Sequence, residues 1–358
     1  MRRLLATVSA AMVVWALGLG CSRSPEGGQA ADTKQINVYM WSEYIDPEIP
    51  AEFEKATGIK ARIDVYEATE EMMAKLQHAG GTEQYDVVVV SDHAVPVLAK
   101  LGLIQALDAE KIPNRKHISE PFRNPGYDPE SRYSLPYQWG TMGLMYRKDK
   151  VGEIEPTWAL VFDAERQPGP LVLIDSMRDM LAAALKLRGE SINSRDPEAL
   201  KAAGEMILQA KKSRHFLGFE GGVGGKNKVV SGDAVLAIVY NGDAMRGIEE
   251  EPNAAFVVPR EGTLIWVDAM TVTSGSRHVE AAHQFINYIL EPEVGAKLSD
   301  FNRYATPNEA ALSLIEPDDR ADEAIYPSQE LMRKMEYLED VGNDTRLYDE
   351  VWTAVKSR

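Results

Sequence analysis

Two rhythms alternate along the chain, short β-branched apolar runs and longer segments whose apolar positions recur three and four apart. Residues 36–40 (INVYM) predict a strand, 47–57 a helix stopped by Gly58, 59–66 a second strand, and 69–79 a helix stopped by Gly80-Gly81. Residues 85–90 (YDVVVV) form a continuous apolar run of the buried parallel type, followed by Ser91-Asp92 and an amphipathic segment to Leu101. Three strand-helix units in succession predict a doubly wound α/β lobe. The aromatic, β-prone stretch 133–147 (YSLPYQWGTMGLMYR) breaks the rhythm, as a chain crossing into a second lobe would. That lobe has its own cycle: strand 171–174, helices 178–187 and 196–211, strand 234–240. A strand at 264–272 precedes helices at 277–290 and 293–299, and the chain is expected to end in helices around 328–338 and 345–356.

The first twenty residues stand outside this pattern. Arg2 and Arg3 precede an apolar run to Leu19 that is short for a permanent span, so the segment reads as an export signal. Small residues lead to Cys21, and residues 22–32 (SRSPEGGQAAD) form a polar tether. The arrangement resembles a bacterial lipoprotein signal with Cys21 as the lipidated first mature residue; ordinary secretion with a free thiol is the alternative.

Composition narrows the class. With 358 residues, 44% apolar and 26% charged, the chain is an ordinary globular protein of about two domains. One cysteine excludes an internal disulfide and a multi-Cys zinc site. The 39 basic and 55 acidic residues leave −16, and removing residues 1–20 makes it −18. Such a chain repels phosphate backbones, which disfavours nucleic acid, and attracts cations.

Candidate chemistry lies directly after strands, where open α/β sheets bind ligands. The strand ends lead into Trp41-Ser42-Glu43-Tyr44, Ser91-Asp92-His93, Asp175-Ser176-Met177-Arg178-Asp179, Tyr240-Asn241-Gly242-Asp243 and Trp266-Val267-Asp268. Brought together, these residues make an aromatic box with an anionic lining, suited to an alkyl-ammonium by cation-π contact and charge-assisted hydrogen bonds.

The order of these segments, together with 134–140 (SLPYQWG), Tyr304-Ala305-Thr306-Pro307-Asn308 and Asp340-Val341-Gly342, resembles the spermidine/putrescine solute-binding proteins of bacterial polyamine ABC importers. The resemblance runs from about Ile36 to the C-terminus. It implies a two-lobe hinged periplasmic-binding-protein fold of type II kind, each lobe a mostly parallel sheet flanked by helices. Lobe 1 would comprise 35–140 and 268–318, lobe 2 141–267 and 319–358, after a signal at 1–20 and a tether at 21–34. Trp41, Tyr44, Tyr240, Trp266 and Tyr304 would be aromatic walls. Ser42, Glu43, Ser91, Asp179 and Asp268 would be polar or acidic contacts, with Asp268 the central anchor. Ser42, Asp243 and Leu338 look like the putrescine-preferring type, Glu43 and Trp266 like the spermidine-preferring type. Ser176 lacks a carboxylate that the spermidine type carries there. His93 stands where the family has tyrosine or serine, and would oppose a cation when protonated or accept a hydrogen bond when neutral. The implied protein is a monomer without cofactor, extracytoplasmic, delivering putrescine or spermidine to an inner-membrane permease and touching the membrane only through its anchor.

Each residue also has a plainer role. Strand tryptophans and tyrosines often belong to cores, and Asp92, Asp175 and Asp243 can serve as helix caps or turn formers. Asn241-Gly242 can be a turn, and Thr306-Pro307-Asn308 a helix start. His78, His117, His215, His278 and His283 have no metal-ligand spacing, and Glu249-Glu250-Glu251 reads as a solvated face. Gly221 to Lys226 lacks the spacing of a phosphate loop and is expected to be a mobile loop. Competing functions are a binder of another small solute, for which Arg178 could serve a carboxylate although it lies between acids and is expected to orient Asp179 or pair with it, and an extracellular glycoside hydrolase using paired acids. Serine-hydrolase and zinc-protease motifs are absent.

Overall fold

The computed structural model describes residues 35–357; the export signal, Cys21 and the tether lie outside the described residues. The strands are β1 (Gln35–Trp41), β2 (Lys60–Tyr66), β3 (Val87–Ser91), β4 (Ile104–Gln105), β5 (Ser134–Arg147), β6 (Leu171–Ile174), β7 (Phe216–Glu220), β8 (Leu236–Tyr240), β9 (Ala254–Val257), β10 (Leu264–Thr273) and β11 (Glu336–Tyr337). They hydrogen-bond in the order β2-β1-β3-β10-β5-β8-β6-β7, with β4 and β11 on β10 and β9 on β5. β1, β2 and β3 run parallel, as do β6, β7 and β8, while β10 is antiparallel to both β3 and β5.

The fourteen-residue β5 is buried throughout and joins the two groups. Its first half pairs with β10 up to Thr141↔Ile265, and from Met142 onward it pairs with β8 and β9. Asp128 anchors its start. The carboxylate is buried and accepts from the Arg132, Tyr133 and Ser134 amides at 3.1, 2.9 and 2.7 Å and from the Ser134 hydroxyl at 2.7 Å.

Helix faces follow the expected periodicity. Glu48–Thr57 buries Ile49 and Phe53, and Thr69–Gln77 buries Met72 and Leu76, each pair four residues apart on one face. Gly58 takes the left-handed conformation that ends the first of these helices. Helix Pro197–Lys211 starts with Asp196 accepting from the Glu198 amide.

Three local expectations differ from the structure. The 328–338 segment is helical only over Gln329–Met332 and then becomes β11, because the Leu264–Ile265 edge of β10 offers a parallel ladder and Lys186 and Ser191 hold Glu336 beside it. The glycine-rich stretch is not a loop throughout, since Gly224–Ser231 is helical. Its glycines let the helix lie on β8, with Gly225 against Val239, and buried Lys226 pairs with Glu250 at 2.9 Å. β7 and β9 were not anticipated, their glycine and alanine content masking the strand signal.

Replacing Asp128 by alanine strands several buried donors, so Asp128→Ala is expected to destabilise the protein by about 3 kcal/mol in urea unfolding. A loss within experimental error would show that β5 does not depend on this anchor.

Candidate functional site

Six parallel strands from both halves of the sheet end at one cleft of about 290 Å³. One wall comes from the ends of β1, β2 and β3 and from β10: Trp41, Ser42, Glu43, Tyr44, Glu67, Ser91, His93, Trp266 and Asp268. The other comes from the turns after β6, β7 and β8: Ser176, Asp179, Gly221, Gly222, Tyr240 and Asp243, with Tyr304, Leu338 and Asp340 completing it. Every residue expected from the sequence to contact a ligand inside the described chain therefore lines this one cavity.

Trp266, Val267 and Asp268 do not follow a strand end as expected but lie within antiparallel β10, whose pairing with both β3 and β5 continues past them, and Asp268 is 5% exposed. A bulge places Asp268 opposite Gln138 and Ala269 opposite Pro136, leaving Tyr137 as the extra residue on β5. Tyr137 uses its hydroxyl to donate to the Tyr44 carbonyl at 2.7 Å, fixing the turn after β1. The Ser91 hydroxyl donates to Asp268 Oδ1 at 2.8 Å. Burial pushes the Asp268 carboxyl up to about 6, against the lowering influence of the Tyr44 and Ser91 hydroxyls. Across the cleft, Asp179 lies in the first turn of helix Met177–Leu187 and accepts from the Tyr240 hydroxyl at 2.5 Å. Burial and Asp179 hold the Tyr240 phenol well above its ordinary value. Among the described residues no basic side chain forms an ion pair with Asp179 or Asp268.

Rings enclose these acids. Trp266 stands edge-on to Tyr304 at 4.8 Å and to Tyr240 at 6.0 Å; Tyr44 meets Tyr304 at 5.8 Å, and Trp41 packs on Tyr66 at 4.3 Å. The indole N–H groups of Trp41 and Trp266 are buried without a partner. Gly242 is required for this packing, because a β-carbon there would come within 2.5 Å of the Tyr304 ring and 2.6 Å of the Asn302 carbonyl. Asn241 is not a turn residue: fully buried at the start of helix Asn241–Glu250, it accepts from the Thr141 amide at 3.0 Å and donates to the Ala324 carbonyl at 2.8 Å.

Glu43 and Asp243 carry a resident cation. Arg246 donates to the Glu43 carbonyl at 3.0 Å, to Glu43 Oε2 at 3.2 Å and to Asp243 Oδ1 at 2.6 Å. Glu43 adopts a left-handed backbone (φ 52°) that turns its carbonyl toward this guanidinium. Burial pushes the Asp243 carboxyl up to about 6 although Arg246 opposes the shift. The arginine was missed in the sequence, yet it lies three residues after Asp243, a signal that appears once 241–250 is recognised as a helix. Glu67 was missed too, although it follows β2 just as Ser42 follows β1. Its carboxylate packs against Gly222, whose φ of 49° brings that backbone to the cleft edge.

Arg178 is buried over the Tyr348 ring at 4.6 Å and donates to the Glu339 carbonyl at 3.1 Å and to Asn193 Oδ1 at 2.9 Å. These bonds make it a brace for the helix that carries Asp179. His283 is a buried structural histidine, accepting from the Asp108 amide at 2.9 Å and facing the Val279 carbonyl at 2.7 Å.

Two strand-ended half-sheets, a shared crossing strand and a cleft between them define an extracellular solute-binding protein. The chain belongs to the bacterial extracellular solute-binding protein family, whose model matches residues 48–325. It is 35% identical to the putrescine-binding periplasmic protein SpuD of Pseudomonas aeruginosa, over 92% of this chain and 94% of that one. It is 31% identical to the spermidine/putrescine-binding periplasmic protein of Escherichia coli, over 96% of each. Among solved structures, the spermidine/putrescine ABC transporter substrate-binding protein PotD of Streptococcus pneumoniae superposes with a TM-score of 0.78 at 28% identity, covering 90% of this chain and 99% of that one. The TpPotD lipoprotein of Treponema pallidum gives 0.80 at 26% identity, covering 91% and 100%. Membership in a family of binding proteins removes the glycoside-hydrolase alternative.

Asp243 and Asp268 carry folded-state values above the ordinary 3.8, so their ionisation opposes folding at neutral pH. That penalty is relieved as pH falls through about 6 toward the unfolded range. The ligand-free protein is expected to gain stability as the pH falls from about 7, by about 1 kcal/mol per carboxyl at pH 5 and by up to about 3 kcal/mol below about pH 4. Asp268→Asn should lose its share of the gain in urea midpoints taken across that range. An unchanged pH profile would reject the burial of a charged Asp268.

Proposed function

We propose that this protein captures a polyamine in the cleft and delivers it to an ABC permease, with putrescine preferred and spermidine possible as a second ligand. The observation that carries this reading is the pair of buried carboxylates, Asp179 and Asp268, that lack a basic partner and are bordered by Tyr240, Trp266 and Tyr304. Burying a charge without a counter-ion is costly, and a short diamine supplies two ammoniums to the acids and methylenes to the ring faces. Arg246 already pairs with Glu43 and Asp243, so among the buried acids of the cleft Asp179 and Asp268 are the two left without a basic partner. Ser176 is uncharged where the spermidine-preferring type carries a carboxylate, and Leu338 in the same cleft is apolar, which supports the shorter ligand at this far end of the cleft. The printed names of the Pseudomonas and Escherichia relatives support the same chemistry.

In this reading the lobes are 35–140 plus 268–318 and 141–267 plus 319–358, and they close about the crossings of β5 and β10. The partner change on β5 between Thr141 and Met142 supports the first boundary. One chain forms the whole cleft, so a monomer suffices. The protein works outside the cytoplasm, held by lipid on Cys21; the tether sequence and the Treponema lipoprotein support that anchor. No helix among the described residues is long and apolar enough to cross a membrane.

Calorimetric titration of the mature protein tests the ligand, with putrescine, spermidine and a neutral sugar as titrants. One-to-one binding of putrescine ahead of spermidine is expected, and absence of heat with both polyamines would overturn the proposal. Asp268→Asn removes a charge-assisted bond of about 1.5 to 3 kcal/mol, weakening affinity about ten- to a hundredfold. Combining Leu338→Gln with Ser176→Asp is expected to raise the spermidine-to-putrescine affinity ratio; a fixed ratio would reject the role given to the far end of the cleft.

A further inference from the structure

One cleft residue is left over from the diamine account. His93 follows Ser91, lines the cavity and keeps a quarter of its side chain exposed. Directly before it, Asp92 is fully buried. The Asp92 carboxylate accepts from the His93 amide at 2.7 Å and from the Val267 amide at 3.4 Å, and its Oδ1 lies 3.4 Å from His93 Nδ1. A carboxylate accepts and never donates, so the nitrogen facing it carries the proton. The opposite ring nitrogen, Nε2, is then the unprotonated one in the neutral ring, and among the described residues none hydrogen-bonds to it.

We infer that His93 is a proton-sensitive ligand contact of the cleft, held by Asp92 as the Nδ1–H tautomer so that Nε2 accepts a hydrogen bond from a protonated amine and rejects that amine once the ring is itself charged. Asp92 acts through His93 and is a positioning residue. The inference rests on the polyamine reading and adds a proton-sensitive contact to it.

The electrostatic surroundings are mixed and fix the sign. Asp92 lies beside the ring and Asp268 faces it from β10, and both favour imidazolium. Tyr127, Tyr337 and Arg178 lie close enough to feel the Asp92 charge; the two phenols stay neutral, and the guanidinium opposes a second cation. An incoming ammonium meets an acceptor when the ring is neutral and a like charge when the ring is protonated, so bound amine and ring proton compete. Amine binding therefore displaces a proton from His93 in addition to any lost by Asp243 and Asp268.

Putrescine calorimetry between about pH 5.5 and 8, repeated in buffers of different ionisation enthalpy, counts the protons released on binding. His93→Gln keeps an acceptor oxygen without a titrating group. Near the pH of half-protonation the wild-type protein is expected to release about half a proton more than this variant, and its affinity should fall about tenfold further per pH unit on the acidic side. Asp92→Asn should move the wild-type step to lower pH without abolishing it, a change that mere loss of structure would not produce. Nitrogen NMR of the ligand-free protein, with His93 assigned by its absence in His93→Gln, should show protonated Nδ1 and bare Nε2 above pH 8. Equal proton counts and affinity profiles for wild type and His93→Gln, or an Nε2–H tautomer, would overturn the inference while leaving polyamine binding intact. Failure of the wild-type protein to bind putrescine or spermidine at any pH would overturn the polyamine reading itself.

Discussion

A carboxylate taken out of water without a cation is among the most costly groups a fold can hold, and this chain holds two of them facing one cleft. Asp268 is kept in place by the Ser91 hydroxyl and by the bulge opposite Tyr137, and Asp179 by the Tyr240 hydroxyl. Both supports are hydroxyl donors that move with the strand ends carrying them. The acids are thereby oriented without being neutralised, a condition that an incoming cation relieves.

The scaffold behind these acids is built to resist that strain. Tyr137 ties β5 to the Tyr44 carbonyl, Gln138 and Asn302 bond to each other, and the Trp139 indole donates to the Thr306 carbonyl at 3.2 Å. Asn241 links β5 to the 324 region through both ends of its amide. These bonds cluster around the segment where β5 changes partners, so the positions of the rings on both walls are set by one short stretch of backbone. Residues of the motifs 134–140 and 306–308, which carry the family resemblance in the sequence, work here as its fastenings.

Charge is distributed unevenly within the cleft. Arg246 pairs with both Glu43 and Asp243 at one edge and bridges elements on opposite walls, while Glu67 rests against Gly222 at another. The buried acids without a basic partner, Asp179 and Asp268, share the cleft with the rings of Tyr240, Trp266 and Tyr304. This separation lets the rim contribute to approach of the walls while the interior retains the charge that a cation would need. The strongly acidic net charge reinforces attraction at longer range, where it is screened over about a Debye length.

Strand and helix order, the two-lobe α/β plan and the identity of the cleft residues were legible in the sequence. The strand and helix order rests on local periodicity, and the residues after β1, β3, β6 and β8 on the rule that parallel strands present their carboxyl ends to ligands, whereas Tyr304, Leu338 and the role of Asp268 were implied by the family resemblance. The four-valine run of β3, the Trp-Ser-Glu-Tyr after β1 and the Tyr-Asn-Gly-Asp after β8 each carried that signal without reference to distant residues. The conversion of 336–337 into a strand, the helix at 224–231 and the division of labour among the acids were not legible. Each depends on a partner far away in the chain: the free edge of β10, the face of β8, and the geometry that gives Arg246 to Glu43 and Asp243 but no base to Asp179 or Asp268. Periodicity and turn chemistry act over a few residues, so the sequence determined which side chains reach the cleft. Charge pairing acts through space, and only the tertiary structure decided which of those acids remain without a cation.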